Sequence, residues 1–337
     1  MKTFEHGGQI EKFAFDLGCS VSEIIDLSSN INFVKPQINI NFNTLDISSY
    51  PTYDKLYEKI ASNYGVQTSQ IELFNGGSSA IFTLFRHLAL ETCTIYSPAY
   101  LEYKKASLNF GYELNTINRF ENINKNVKEN SLVIFVNPST PDGRYYEIET
   151  LIKSWIENSC TILIDESFLD FCDKPSAIKY LKTYDKLYIL KSMTKFYSSA
   201  GIRVGTIVST KQNIEKLKEF EPMWKLSQFD SIYLQEALKD EEFKTISKEI
   251  NIKNRLELEE ILKTSSLVEE IFESSANYLL VKLRNISASE FQELLKPYKI
   301  MVRDCSNFDF LDDRFVRIAV KSSSANERLK KALEEIC

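Results

Sequence analysis

A chain of 337 residues with 43% hydrophobic and 26% charged residues has the balance of a globular protein and length for one large domain or two, which excludes a mainly disordered chain. A net charge of -6 argues against a broad basic face for nucleic acid, and no apolar run approaches the roughly 18 residues of a membrane helix. The start, Met1-Lys2-Thr3-Phe4-Glu5, lacks the apolar stretch of a secretory signal, so the expectation is a soluble, cytoplasmic protein with no nucleic-acid or membrane partner.

In chain order, Asn75-Gly76-Gly77-Ser78-Ser79 opens an apolar helical stretch reaching about Leu90. Short β-rich runs at 94–96, 132–136, 161–165, 186–190 and 204–208 follow, with room for crossover helices such as 145–158. Continuous apolar strands separated by helices predict a mostly parallel sheet buried on both faces. From about 211 to 263 the pattern is charged and helical. Alternation returns at 278–283 and 315–320 and predicts a smaller α+β domain. A strand at 315–320 puts Val316, Ile318 and Val320 on one face and Arg317 on the other, turned either to solvent or to a cleft.

The six cysteines are scattered, with no C-x-x-C pair, which disfavours both a disulfide framework and a zinc site. His6 and His87 are the two histidines, too few for a His-ligated metal or a serine triad, so no metal is expected. The chemistry falls to lysine, carboxylate, arginine, tyrosine or a cofactor. Ligands in open α/β sheets bind beyond the carboxyl ends of the strands. Those ends carry Tyr100, the turn Asn137-Pro138-Ser139-Thr140-Pro141-Asp142-Gly143, Asp165 and Lys195. Gly77 and Ser78 sit at a helix N-terminus, where free backbone N–H groups and the dipole favour a phosphate. One cofactor fits this set: pyridoxal 5'-phosphate, which takes a Schiff-base lysine (Lys195), a carboxylate beside the pyridine nitrogen (Asp165), a phosphate cradle and a stacking ring (Tyr100). Ser192-x-x-Lys195 also matches the serine nucleophile motif of penicillin-binding proteins, but the K-T-G that motif wants downstream does not occur.

Ser192-Met193-Thr194-Lys195, followed by Arg203-Val204-Gly205, resembles the S-x-[ST]-K…R-x-G signature of the fold-type I, class I/II aminotransferases. His6-Gly7-Gly8, Asp26-Leu27-Ser28-Ser29-Asn30-Ile31-Asn32, Ser167-Phe168-Leu169-Asp170-Phe171 and Arg303-Asp304-Cys305-Ser306-Asn307 are most similar to the L-threonine-O-3-phosphate decarboxylase branch, relatives of the histidinol-phosphate aminotransferases. The resemblance implies a large cofactor domain over 36–230 and a small domain from 1–35 and 231–337. It implies Lys195 as the Schiff-base lysine, Asp165 at the ring nitrogen and Tyr100 stacked on the ring. Gly77, Ser78, Ser192 and Arg203 would hold the phosphate. Tyr50 would reach the cofactor phosphate of a second subunit, implying a homodimer with composite sites. His6, Asn32, Arg303 and Arg317 would surround a small phosphorylated amino acid or amine. Thr140 stands where the family carries an asparagine to the cofactor's phenolic oxygen, Phe168 where aminotransferases carry tyrosine, and Lys321 where decarboxylases often carry arginine. The implied reaction is decarboxylation of O-phospho-L-threonine in cobalamin biosynthesis. The alternatives are a histidinol-phosphate aminotransferase, or a related aminotransferase, and an aminotransferase-like protein that binds without catalysis.

Overall fold

The computed structural model describes residues 8–336. Seven strands, β1 (Ile71–Asn75), β2 (Thr92–Ser97), β3 (Glu113–Asn118), β4 (Leu132–Val136), β5 (Thr161–Asp165), β6 (Leu187–Ser192) and β7 (Val204–Val208), form one sheet in the order β1-β7-β6-β5-β4-β2-β3. Strands β2 to β6 pair in parallel, whereas β7 runs antiparallel to both β1 and β6. Every residue of β4, β5 and β7 is buried, as expected of apolar-rich strands covered on both sides, β4 being an unbroken Leu/Val/Ile/Phe run. On one face Phe135, Ile162 and Ile164 pack with Trp155 of the helix Glu149–Glu157. On the other, Ile134 and Leu163 pack with Leu84 and Phe85 of the helix Gly76–Leu88.

A second sheet is antiparallel throughout. Its strands β8 (Val268–Ile271), β9 (Tyr278–Leu283), β10 (Arg303–Asp304) and β11 (Phe315–Ala319) lie in the order β10-β11-β9-β8. Helices Glu241–Thr264, Ala288–Leu295 and Ser323–Ile336 cover it through a separate apolar cluster that includes Leu258, Phe291 and Leu329. Ile25–Asp26 pairs in parallel with Ile300–Met301, and the Ala319 N–H donates to Leu27 O. Those bonds lead the chain from residue 27 onward into the space between the two sheets.

The strands expected at 132–136, 161–165 and 204–208 form over those residues; 94–96 lies inside the longer Thr92–Ser97, and 186–190 is displaced, the strand running over Leu187–Ser192. Two strands of the seven-stranded sheet escaped the sequence pattern. In β1 the charged Glu72 interrupts an apolar run; it is buried because Lys225 pairs with it and Tyr57 donates to it. Strand β3 is a sheet edge with mostly polar, half-exposed residues. The charged stretch 211–263 is three helices, with Ser227 and Asp240 capping the second and third.

Candidate active site

Because β7 is reversed, its beginning lies at the sheet edge where the parallel strands end. Its Gly205 touches the start of the helix Gly76–Leu88: an added Cβ would sit 2.6 Å from Gly77 N and 2.7 Å from Gly76 C. No side chain fits there, which is the physical reason for glycine two residues after Arg203. Gly76 has φ +78°, and a Cβ on it would collide with the Arg203 guanidinium. The helix therefore presents the Gly77 and Ser78 amides to the cavity beside four hydroxyls and a cation. Ser78 Oγ pairs with Tyr100 Oη at 3.1 Å, Ser192 Oγ pairs with Thr194 Oγ1 at 2.9 Å, and Arg203 Nη1 donates to Ala200 O at 3.1 Å. This is an anion cradle.

Next to it, Asp165 ends β5 with both carboxylate oxygens engaged. Tyr103 Oη donates to Oδ2 at 2.7 Å, while Ser167 N and Oγ donate to Oδ1 at 2.9 and 2.5 Å. Burial pushes the Asp165 carboxyl up; the donors from Ser167 and Tyr103 pull it back toward the ionised form. Lys195 follows β6, half-buried, and lines the cavity. Burial first, then the cations of Arg317 and Arg203, bring its ammonium down to about 8, so a neutral amine is accessible near physiological pH. Phe168 lines the same space and packs edge-on against the Tyr278 ring at 5.0 Å.

The facing wall comes from the second sheet and the amino-terminal segment. Arg303 and Arg317 are direct cross-strand partners in the β10–β11 ladder, and both side chains line the cavity. The Arg317 face of β11 thus meets the cleft. Arg317 is 9% exposed; its Nη1 lies 3.3 Å from Thr140 Oγ1, its Nη2 donates to Ser28 O at 3.2 Å, and its Nε has no partner among the described residues. Ser28, Ser29, Asn30 and Phe308 complete this side. The cavity measures about 220 Å³.

Ten of the expected residues converge here: Gly77, Ser78, Tyr100, Thr140, Asp165, Ser192, Lys195, Arg203, Arg303 and Arg317. Asn32 does not line the cavity: it is 2% exposed, with its amide spent on Phe196 O, Ser247 Oγ, Val34 N and Asn251 Nδ2. The asparagine that faces the cavity is Asn30, two positions earlier. Tyr50 is also outside it, 72% exposed and stacked on Trp224 with ring centroids 4.1 Å apart. His6 lies outside the described residues. Lys321 donates to Ile31 O at 2.9 Å and anchors the amino-terminal segment without lining the cavity. Sequence reading missed Tyr103: nothing distinguishes it among 17 tyrosines until the fold brings it onto Asp165. Asn30 and Ser167 were within motif segments but unassigned.

Among the described residues no group of three His, Cys, Asp or Glu side chains could hold a metal. The donor set fits pyridoxal phosphate. The Gly77 and Ser78 helix start beside Ser192 and Arg203 matches a phosphate; Asp165 matches a protonated ring nitrogen; and the depressed Lys195 amine matches a carbonyl partner. A protein of Caldanaerobacter subterraneus subsp. tengcongensis provisionally named a threonine-phosphate decarboxylase is 32% identical over 99% of this chain and 94% of its own length. The crystal structure of the histidinol-phosphate aminotransferase from Clostridium acetobutylicum superposes with a TM-score of 0.83 at 29% identity, covering 93% of this chain and 99% of that one. The histidinol-phosphate aminotransferase of Sinorhizobium meliloti, solved with pyridoxal-5'-phosphate, gives a TM-score of 0.83 at 18% identity over 98% and 95% of the two chains, a likeness of fold. The fold is therefore the fold-type I arrangement that the signature implied. The family model for aminotransferase class I and II matches residues 23–336, and the chain belongs to that family, with pyridoxal 5'-phosphate as its cofactor.

Proposed function

We propose that this chain decarboxylates O-phospho-L-threonine to (R)-1-amino-2-propanol O-phosphate and CO2, as a step of cobalamin biosynthesis. The observation that carries the reading is the pair of arginines on the wall opposite the cofactor cradle. Arg303 and Arg317, side by side across the β10–β11 ladder, give the cavity two cations beyond Arg203. A substrate bearing both a carboxylate and a phosphate satisfies both; histidinol phosphate, with one anionic group, leaves one guanidinium unmatched. The 32% identity to the Caldanaerobacter protein supports the same branch, as does Phe168 in place of a tyrosine.

Gly77, Ser78, Ser192 and Arg203 would hold the cofactor phosphate, Tyr100 its ring and Asp165 its ring nitrogen. When bound, the cofactor supplies the electron sink that accepts the pair left behind as CO2 departs. Arg317 and Arg303 would hold the substrate's anionic groups and so orient it, and that orientation would favour loss of the carboxylate over loss of the Cα proton. The Lys195 ammonium, which holds its proton below about 8, is the group that would deliver a proton to Cα where CO2 has left. The enclosing walls limit water at that carbon.

The exposed, stacked Tyr50 and Trp224, with Met223 at 73% exposure, support a face that a second copy of the chain covers, making a homodimer. The deciding experiment supplies cofactor-loaded protein with O-phospho-L-threonine and no keto acid. Sustained CO2 release, with the cofactor spectrum returning to its starting form, supports the decarboxylase. Absence of CO2, with conversion to the pyridoxamine form by histidinol phosphate, overturns it in favour of the aminotransferase. Failure to acquire a cofactor absorbance overturns both in favour of a non-catalytic binding protein.

A further inference from the structure

The segment just after Asn30 is built into the turn that carries Lys195. The Asn32 N–H donates to Lys195 O at 3.0 Å, and Asn32 Nδ2 donates to the next carbonyl, Phe196 O, at 2.8 Å. The same Nδ2 reaches Ser247 Oγ at 2.5 Å, and Oδ1 accepts from Asn251 Nδ2 at 3.1 Å. Ser247 and Asn251 lie one turn apart on the helix Glu241–Thr264, at 0% and 2% exposure. Two consecutive carbonyls at the lysine are thus fixed by one asparagine, itself fixed by a helix that packs on the second sheet. Chain neighbours do not supply this restraint: Asn32 and Phe196 are 164 positions apart.

We infer that Asn32 is a positioning residue for Lys195, holding the lysine backbone at the cavity floor through Ser247 and Asn251, and that it does not contact substrate. Buried hydrogen bonds to backbone carbonyls limit the directions in which the Lys195 stem leaves its turn. Position matters here because a nucleophilic amine works only within a narrow approach to its carbonyl partner. The inference rests on Lys195 as the cofactor-bearing lysine. That premise is checked separately by borohydride reduction of the wild-type holoprotein and mapping of the modified peptide.

The test compares Asn32→Ala, Ser247→Ala and wild type in three readouts: the rate of covalent capture of pyridoxal phosphate by the apoprotein, the pH midpoint of the bound cofactor's absorbance, and KM for O-phospho-L-threonine. Asn32→Ala is expected to slow capture about tenfold and move the midpoint, with KM within about twofold of wild type. Ser247→Ala, remote from the cavity, is expected to show the same pattern at roughly a third of the size. A raised KM with unchanged capture and midpoint overturns the inference and makes Asn32 a substrate contact. Should Asn32→Ala not fold, Ser247→Ala decides, and wild-type capture with a wild-type midpoint overturns the inference. A wild-type protein whose reduced cofactor maps to another residue overturns the Lys195 premise instead.

Discussion

The two walls of the cavity are built in different ways. The cofactor wall stands on the edge of the seven-stranded sheet: Ser192 ends β6, and Thr194, Lys195 and Arg203 come from the connection between β6 and β7. The facing wall is assembled from distant segments: Ser28 to Asn30 at one end of the chain, Arg303 and Arg317 at the other. The first wall is specified by a compact motif on a buried scaffold. The second exists only once the chain ends have packed together. Chemistry common to a family resides on the first kind of wall, and choice of substrate on the second.

Replacing residues on the first wall should therefore abolish chemistry rather than alter preference. Lys195→Ala is expected to lower kcat by about 10³-fold or more and to leave no borohydride-fixed cofactor in the peptide map. In the wild type, the Lys195 amine titrates at about 8, below its ordinary value. Capture of pyridoxal phosphate should accordingly accelerate as pH rises through about 8 and then level off; a pH-independent rate from 6 to 10 contradicts the buried, cation-flanked amine. Gly205→Ala forces a methyl against the Gly76–Gly77 backbone. It should cost about 1–3 kcal/mol in urea unfolding and weaken cofactor binding together with stability, showing that cradle and fold are one contact. Tyr103→Phe is the gentlest. Losing a donor to the buried Asp165 carboxylate should weaken cofactor affinity roughly tenfold while leaving KM for substrate unchanged. A shift in KM instead would put Tyr103 on the wrong wall.

This division also explains what the sequence could convey. Lys195, Asp165 and Arg203 stand at or beside the ends of buried strands, so apolar periodicity located them and a short signature tied them together. Arg317 was placed on one face of its strand by alternation alone, with solvent and cleft left as equal alternatives; only the opposing sheet decides between them. Asn30 and Asn32 differ by two positions and, in an irregular segment, no periodicity assigns their directions. Resemblance selected Asn32, and packing against Phe196 and Asn251 turned it inward. Tyr103 needed the turn of its helix toward β5 before its hydroxyl had any evident use. Strand β1 was hidden by Glu72, whose counter-ion Lys225 lies 153 positions away.

The reversed direction of β7 has a bearing on how the molecule comes together and comes apart. With β6 and β7 hydrogen-bonded neighbours, the lysine-bearing connection is closed at both ends by a single ladder, and its loop is short in sequence. The opposite wall depends on closures such as Arg317 to Ser28, which spans 289 positions. Closing a loop of that length costs more entropy than closing a short one, so such contacts form slowly. An opening of the chain ends therefore loosens the facing wall and, because Asn32 holds the Lys195 and Phe196 carbonyls, slackens the turn that carries the lysine as well. The two walls come apart along one seam.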